Sequence, residues 1–202
     1  MTIEGPVARR YPEGMAQTSA APAPYRFTRE EYHRMGEAGL FEGKRVELLD
    51  GEIITMSPQS SPHASAVNRA RRALSQVLEP AFLVRGQVPI VLDGESEPDV
   101  AVCAPDRREY AAGHPEPKDI LLVLEIAASS LAYDRGRKAA AYARAGIPAY
   151  GIVNLERRVV ELLTEPDPAA ARYRRAEVMG EDGRLPLPGS ATVPVAELLP
   201  PR

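Results

Sequence analysis

The sequence predicts an α/β (α+β) domain, strands alternating with covering helices, with a helix and a β-hairpin added on the N-terminal side. Three observations carry this. ILLVLEI, residues 120–126, is apolar at nearly every position, the pattern of a central strand covered on both faces. Two segments of helical period, starting near Ser61 and near Asp134, can supply the cover. VELLDGEIITM, residues 46–56, reads as two strands around Asp50-Gly51, a dipeptide that accepts the positive φ angles of a tight turn.

In chain order, residues 1–24 are Ala/Pro-rich without an apolar face and read as a disordered arm. Residues 25–202 form the domain. Thr28 and Glu31 have the spacing of a capping box, with Tyr32, Met35 and Leu40 as anchors of a short helix. Beyond the hairpin, Ser61 as N-cap and Pro62 open a helix that places Val67, Ala70, Leu74, Val77 and Leu78 on one face. AFLV, VPIVL and PDVAVC follow as consecutive strands. After the central strand, Asp134 caps DRGRKAAAYARAG, which Gly146 and Pro148 end. YGIVN, RVVELLT and a closing hairpin complete the domain.

A chain of 202 residues with 44% hydrophobic content fills one sizeable core, which argues against two full domains. The single cysteine, Cys103, excludes an intramolecular disulfide and a multi-cysteine metal cluster and reads as strand packing. No secretory or membrane-spanning apolar run is found, so a cytoplasmic location is expected. The net charge of -3 argues against binding of nucleic acid through bulk charge alone, though a local basic patch remains open.

Two acids stand in unusual settings. Glu125 interrupts the apolar central strand, where a carboxylate carries a large desolvation cost unless it is paired, metal-bound or at a wet strand end. Asp99 opens the PDVAVC strand, as a functional acid or as a turn residue after Pro98. A pair of carboxylates with water is a typical ligand set for Mg²⁺. His33, His114 and Cys103 show no metal-ligand spacing among themselves.

Pro98-Asp99, Glu125 after its apolar run and the block YDRGRKAAAYARAGIPAYGIVN together resemble the Uma-two family of the PD-(D/E)XK, restriction-endonuclease-like superfamily. The resemblance runs from about Thr28 onward and includes VELLDGEI, SPQSSPHASAV and the late LPLPG. It implies a restriction-endonuclease-like core, a mixed β-sheet flanked by helices, with Asp99 and Glu125 side by side as Mg²⁺ ligands and Mn²⁺ as a substitute. The implied activity is endonucleolytic hydrolysis of phosphodiester bonds in nucleic acid, DNA favoured. The superfamily lysine two residues after the glutamate is Ala127 here, so Lys138 becomes the candidate that orients or activates the attacking water. Asp134 and Lys138, four apart, share a helix face.

The resemblance adds Glu47 as a further catalytic acid, against an ordinary surface glutamate, and His63 as a phosphate contact, against a packing or capping role. Departures are IAASSLAYD after Glu125 where relatives have Ser-Pro-Ser, Gly151 in place of a tryptophan and Asn154 in place of an aspartate. Arg69, Arg71, Arg72, Arg135, Arg137 and Arg144 are candidates for positioning phosphates, or merely solvated helix faces. A homodimer is expected from symmetry and from the cutting of two strands. The alternative is a catalytically inactive relative that binds nucleic acid or a partner; a small-nucleotide phosphodiesterase is a third reading.

Overall fold

In the computed structural model, which describes residues 23–201, the chain enters helix α1 (Arg29–Glu37) at Thr28. The arm assigned to residues 1–24 lies outside the described residues up to residue 22. The capping box forms as its spacing requires: the Thr28 hydroxyl accepts from the Glu31 amide, and the Glu31 carboxylate accepts from the Thr28 amide. The helix buries none of its residues, and Leu40, expected as an anchor, is exposed. Polar contacts hold α1 instead, with the Tyr32 hydroxyl donating to the Val46 carbonyl and Arg29 pairing with Glu95.

Strands β1 (Val46–Leu49) and β2 (Glu52–Thr55) form the hairpin, with φ of 53° at Asp50 and 72° at Gly51. Helix α2 (Ser61–Leu78) is capped by Ser60, not Ser61: the Ser60 hydroxyl accepts from the His63 amide. Its buried stripe is Ala66, Val67, Ala70, Ala73, Leu74 and Leu78. Val77, assigned to this stripe from its spacing, is 45% exposed, because in the last turn only Leu78 still reaches the core.

The next four strands, β3 (Leu83–Gly86), β4 (Ile90–Leu92), β5 (Gly94–Ser96) and β6 (Val100–Cys103), are consecutive in sequence but divide between two sheets. β3 pairs with β6, whereas β4 and β5 leave to join the hairpin in a sheet ordered β2-β1-β5-β4. Gly94 permits this junction: its φ is 128°, and a Cβ there would collide with the Leu48 carbonyl.

The six-stranded sheet is ordered β10-β9-β8-β7-β6-β3, with β7 (Ile120–Ala127), β8 (Ala149–Asn154), β9 (Val159–Asp167) and β10 (Arg172–Met179). β7 and β8 are parallel and the other pairs antiparallel, so the sheet is mixed. Parallel neighbours need a crossover. It consists of α3 (Leu131–Tyr133), a π-helical turn (Asp134–Lys138) and α4 (Ala139–Arg144), ended by Gly146 at φ 76°. The crossover helix starts one turn before Asp134, which is therefore not its cap but a buried side chain bonded by the Ser130 hydroxyl at 2.6 Å. A short hairpin, β11 (Arg184–Pro186) and β12 (Thr192–Pro194), leads to α5 (Val195–Leu198) against α2.

Side-chain alternation along β7 sorts the interior. Leu122, Leu124 and Ile126 join α2, α5 and the β11–β12 hairpin on one face. Val123 and Ala127 join Ala101, Cys103, Ala139 and Tyr142 on the other. Gly151 stands opposite Leu124, whose side chain fills the space a Cβ would take. The tryptophan of relatives has no room there unless Leu124 moves. Among the described residues no helix is long and apolar enough to cross a membrane.

Leu74→Ala, which empties a fully buried position, is expected to cost about 2–5 kcal/mol in urea denaturation. Val77→Ala is expected to stay within about 0.5 kcal/mol of the parent. Equal losses at the two positions would refute this assignment of the α2 faces.

Candidate active site

The register of β6 on β7 brings two acids together. Ala101 lies opposite Val123 and Val100 opposite Leu124, so Asp99, one residue before β6, comes level with Glu125. Directly opposed residues of an antiparallel pair share a face, and for these two it is the face covered by the crossover helix. One Asp99 oxygen, Oδ2, accepts the Ile126 amide at 2.8 Å, which pins Asp99 against β7. The other, Oδ1, lies 3.1 Å from His63 Nε2 and accepts from Gln87 Nε2 at 3.3 Å.

Glu125 is 4% exposed and is held from the crossover. Lys138 Nζ donates to its Oε1 at 2.9 Å, and the Tyr142 hydroxyl donates to the same oxygen at 2.7 Å. Lys138, itself 4% exposed, also lies 3.6 Å from Glu47 Oε2. Ala127, the position two beyond the glutamate, is packed in the core. The lysine instead arrives from the π-turn, an irregularity often found at functional positions.

Glu47 is not on a solvent-facing side of its strand. It is 2% exposed, with Lys138 of the crossover 3.6 Å from its Oε2, and it accepts from the Ser96 hydroxyl at 2.9 Å. Glu47, His63, Asp99, Glu125 and Lys138 all line one cleft of about 380 Å³, together with Tyr133, Asp134 and the segments 54–60 and 128–130.

Burial, more than any neighbour, pushes the Glu125 carboxyl up to about 8; Lys138 opposes the rise, and Asp99 and Asp134 add to it. For Lys138, burial alone would lower the pKa, but the Glu125 and Glu47 carboxylates outweigh it and keep the amine protonated. Burial also raises Asp134, against the hydrogen bond from Ser130. Four carboxylates thus line the cleft against Lys138 and Arg45, and Arg45 is engaged by Glu97. Such a surplus of negative charge is relieved by uptake of protons or of a cation.

Among the described residues no group of three or more His, Cys, Asp or Glu side chains forms a cage for a metal ion. Mg²⁺ requires less, since one or two carboxylates suffice when waters complete its shell. Asp99 and Glu125 offer hard oxygens of this kind at the cleft.

The family profile described as Uma2, putative restriction endonuclease, matches residues 29–198. The chain belongs to the Uma2 family. A crystal structure of a putative nuclease from Anabaena variabilis is similar with a TM-score of 0.63 at 14% identity, over 85% of this chain and 97% of that one. No curated protein matches the sequence.

Within this Uma2 chain the arginines proposed for phosphates are largely engaged. Arg135 pairs with Glu161, Arg137 with Glu52 and Arg144 with Asp50, while Arg69 donates to the Ala196 carbonyl. Asn154, at the strand end where relatives carry an aspartate, accepts from the Arg157 amide and donates to Glu161. Sequence reasoning missed Gln87, Ser96 and Tyr142. For Tyr142 a signal existed, because it lies four residues after Lys138 on the same helical face. Ser96 and Gln87 carried none, since their contacts depend on strands meeting across the fold.

The Glu125 carboxyl is easier to protonate in the folded chain than at its ordinary value of 4.5. The folded state therefore binds more protons between about pH 4.5 and about 8, and stability falls as pH rises through that window. With chelator present, urea denaturation is expected to give lower stability at the top of this window than at the bottom, and Glu125→Gln to flatten the slope. A slope unchanged in the variant would contradict this placement of the titrating group.

Proposed function

We propose that the chain is a Mg²⁺-dependent endonuclease that hydrolyses phosphodiester bonds of nucleic acid, with DNA as the favoured substrate and Mn²⁺ as a substitute ion. The observation that carries this reading is the level pairing of Asp99 and Glu125 on adjacent strands, with Lys138 2.9 Å from Glu125 at a shared cleft. The family description and the similar nuclease structure support it. Asp99 and Glu125 would hold the ion. When bound, it supplies neutralisation of phosphate charge and a lowered pKa for water.

Each side chain then has a distinct task. The Ile126 amide fixes Asp99 by one oxygen, which orients the carboxylate toward the cleft. Lys138 orients the attacking water and stabilises charge that develops on the phosphate. Glu47, 3.6 Å from the ammonium, gives it a second carboxylate partner beside Glu125 and so limits its motion. His63, at the opening of α2 and 3.1 Å from Asp99, contacts the phosphate or takes part in proton transfer. A homodimer would bring two such sites to the two strands of a duplex.

Purified protein is expected to cleave DNA or RNA with Mg²⁺ or Mn²⁺ and to stop when the metal is chelated. Asp99→Ala and Glu125→Ala are expected to abolish cleavage, and Lys138→Met to lower kcat by roughly 10²–10³-fold. Cleavage that persists in both acid variants would refute the assignment. Salt-dependent binding of nucleic acid without turnover in any divalent metal would instead establish a binding module.

A further inference from the structure

We infer that Tyr142 is a positioning residue of this site, fixing Glu125 through one carboxylate oxygen so that the other receives the divalent cation. The inference rests on the metal-dependent reading above and deepens it. Tyr142 is fully buried, and its hydroxyl lies 2.7 Å from Glu125 Oε1 and 3.3 Å from Ser96 Oγ. Ser96 in turn donates to Glu47 Oε2, and Lys138 lies between Glu47 and Glu125. Glu47, Ser96, Tyr142, Glu125 and Lys138 therefore close a ring of polar contacts that joins β1, β5, β7 and the crossover helix.

Two donors meet on Oε1, one from Lys138 and one from Tyr142. Two fixed donors on one oxygen hold the carboxylate in a single rotamer, and Oε2 is the oxygen these bonds leave to a cation. The chemical difference between the donors matters. Beside Lys138, which already balances the single charge of Glu125, a second ammonium would leave a net positive charge and repel an incoming cation, whereas a phenol orients the carboxylate without adding charge. The ring of Tyr142 packs on Tyr150 with centroids 4.8 Å apart, so the hydroxyl has little freedom to swing away. Lys138 and Tyr142 lie one helical turn apart, and a single rigid element sets both donors.

The test is Mn²⁺ titration, followed by electron paramagnetic resonance, of the full chain and of Tyr142→Phe, which keeps the ring and removes the hydroxyl. The Kd for Mn²⁺ is expected to weaken about 10–100-fold, with kcat falling to a similar degree and KM for nucleic acid little changed. Tyr173→Phe removes a hydroxyl bonded to the Ile147 carbonyl, away from the acids, and is expected to match the parent. Crystals of the parent soaked in Mn²⁺ give a reading that needs no variant: the ion should contact Glu125 Oε2 while Tyr142 stays on Oε1. Parent-like Mn²⁺ binding by Tyr142→Phe, or an ion seated on Oε1, overturns the role of Tyr142 and leaves the nuclease reading standing. A parent chain that binds no Mn²⁺ overturns both.

Discussion

A carboxylate in the middle of the molecule has to be compensated, and much of the architecture around β7 follows from that. Glu125 lies on a strand whose neighbouring side chains are apolar on both faces. Left alone, its charge would be expelled from such a position or neutralised by a proton. Lys138 and Tyr142 supply the compensation from one helix, and the crossover between β7 and β8 is the element that delivers them. The same helix also closes the parallel pair, so the connection that topology requires and the charge balance that Glu125 requires have one structural answer.

The second sheet gives this arrangement its depth. Because β4 and β5 leave the main sheet and pair beside β1, Glu47 and Ser96 come to face Lys138 and Tyr142. Glu47 is thereby buried on a hairpin that would otherwise be an exposed appendage. The acids then arrive from three directions: the hairpin, the β6–β7 pair and the π-turn. Buried ion pairs of this kind are weak sources of net stability. Their concentration at a cleft fits a site maintained for binding and chemistry, and the raised pKa of Glu125 belongs to the same pattern.

How much of this could be read beforehand depended on the range of the interaction. The capping box at Thr28, the Asp50-Gly51 turn, the doubly covered strand and the Gly146 stop are local, and the structure contains each of them. The placement of Ser61 and Asp134 as caps failed for a related reason. Several small polar residues near a helix start can serve: Ser60 caps α2 one residue before Ser61, and the crossover helix begins at Leu131, ahead of Asp134. Val77 fits the helical period and is still exposed, because period says which face is apolar and not how far the core extends. The acids Asp99 and Glu125 were legible through motif resemblance and, for Glu125, through the cost of its position.

By itself, then, the sequence determined the elements, the mixed class of the sheet through its family resemblance, and the identity of the acids that need partners. Backbone propensity, side-chain period and desolvation act within a few residues and are written into the chain. Only the tertiary structure decided that β4 and β5 change sheets, that Glu47 is buried, that three of the arginines are held by acids, and that Tyr142 and Ser96 join the acidic cluster. These depend on contacts between residues distant in sequence, such as Arg144 with Asp50, 94 positions apart, and no local pattern encodes which distant strand will arrive beside a given side chain.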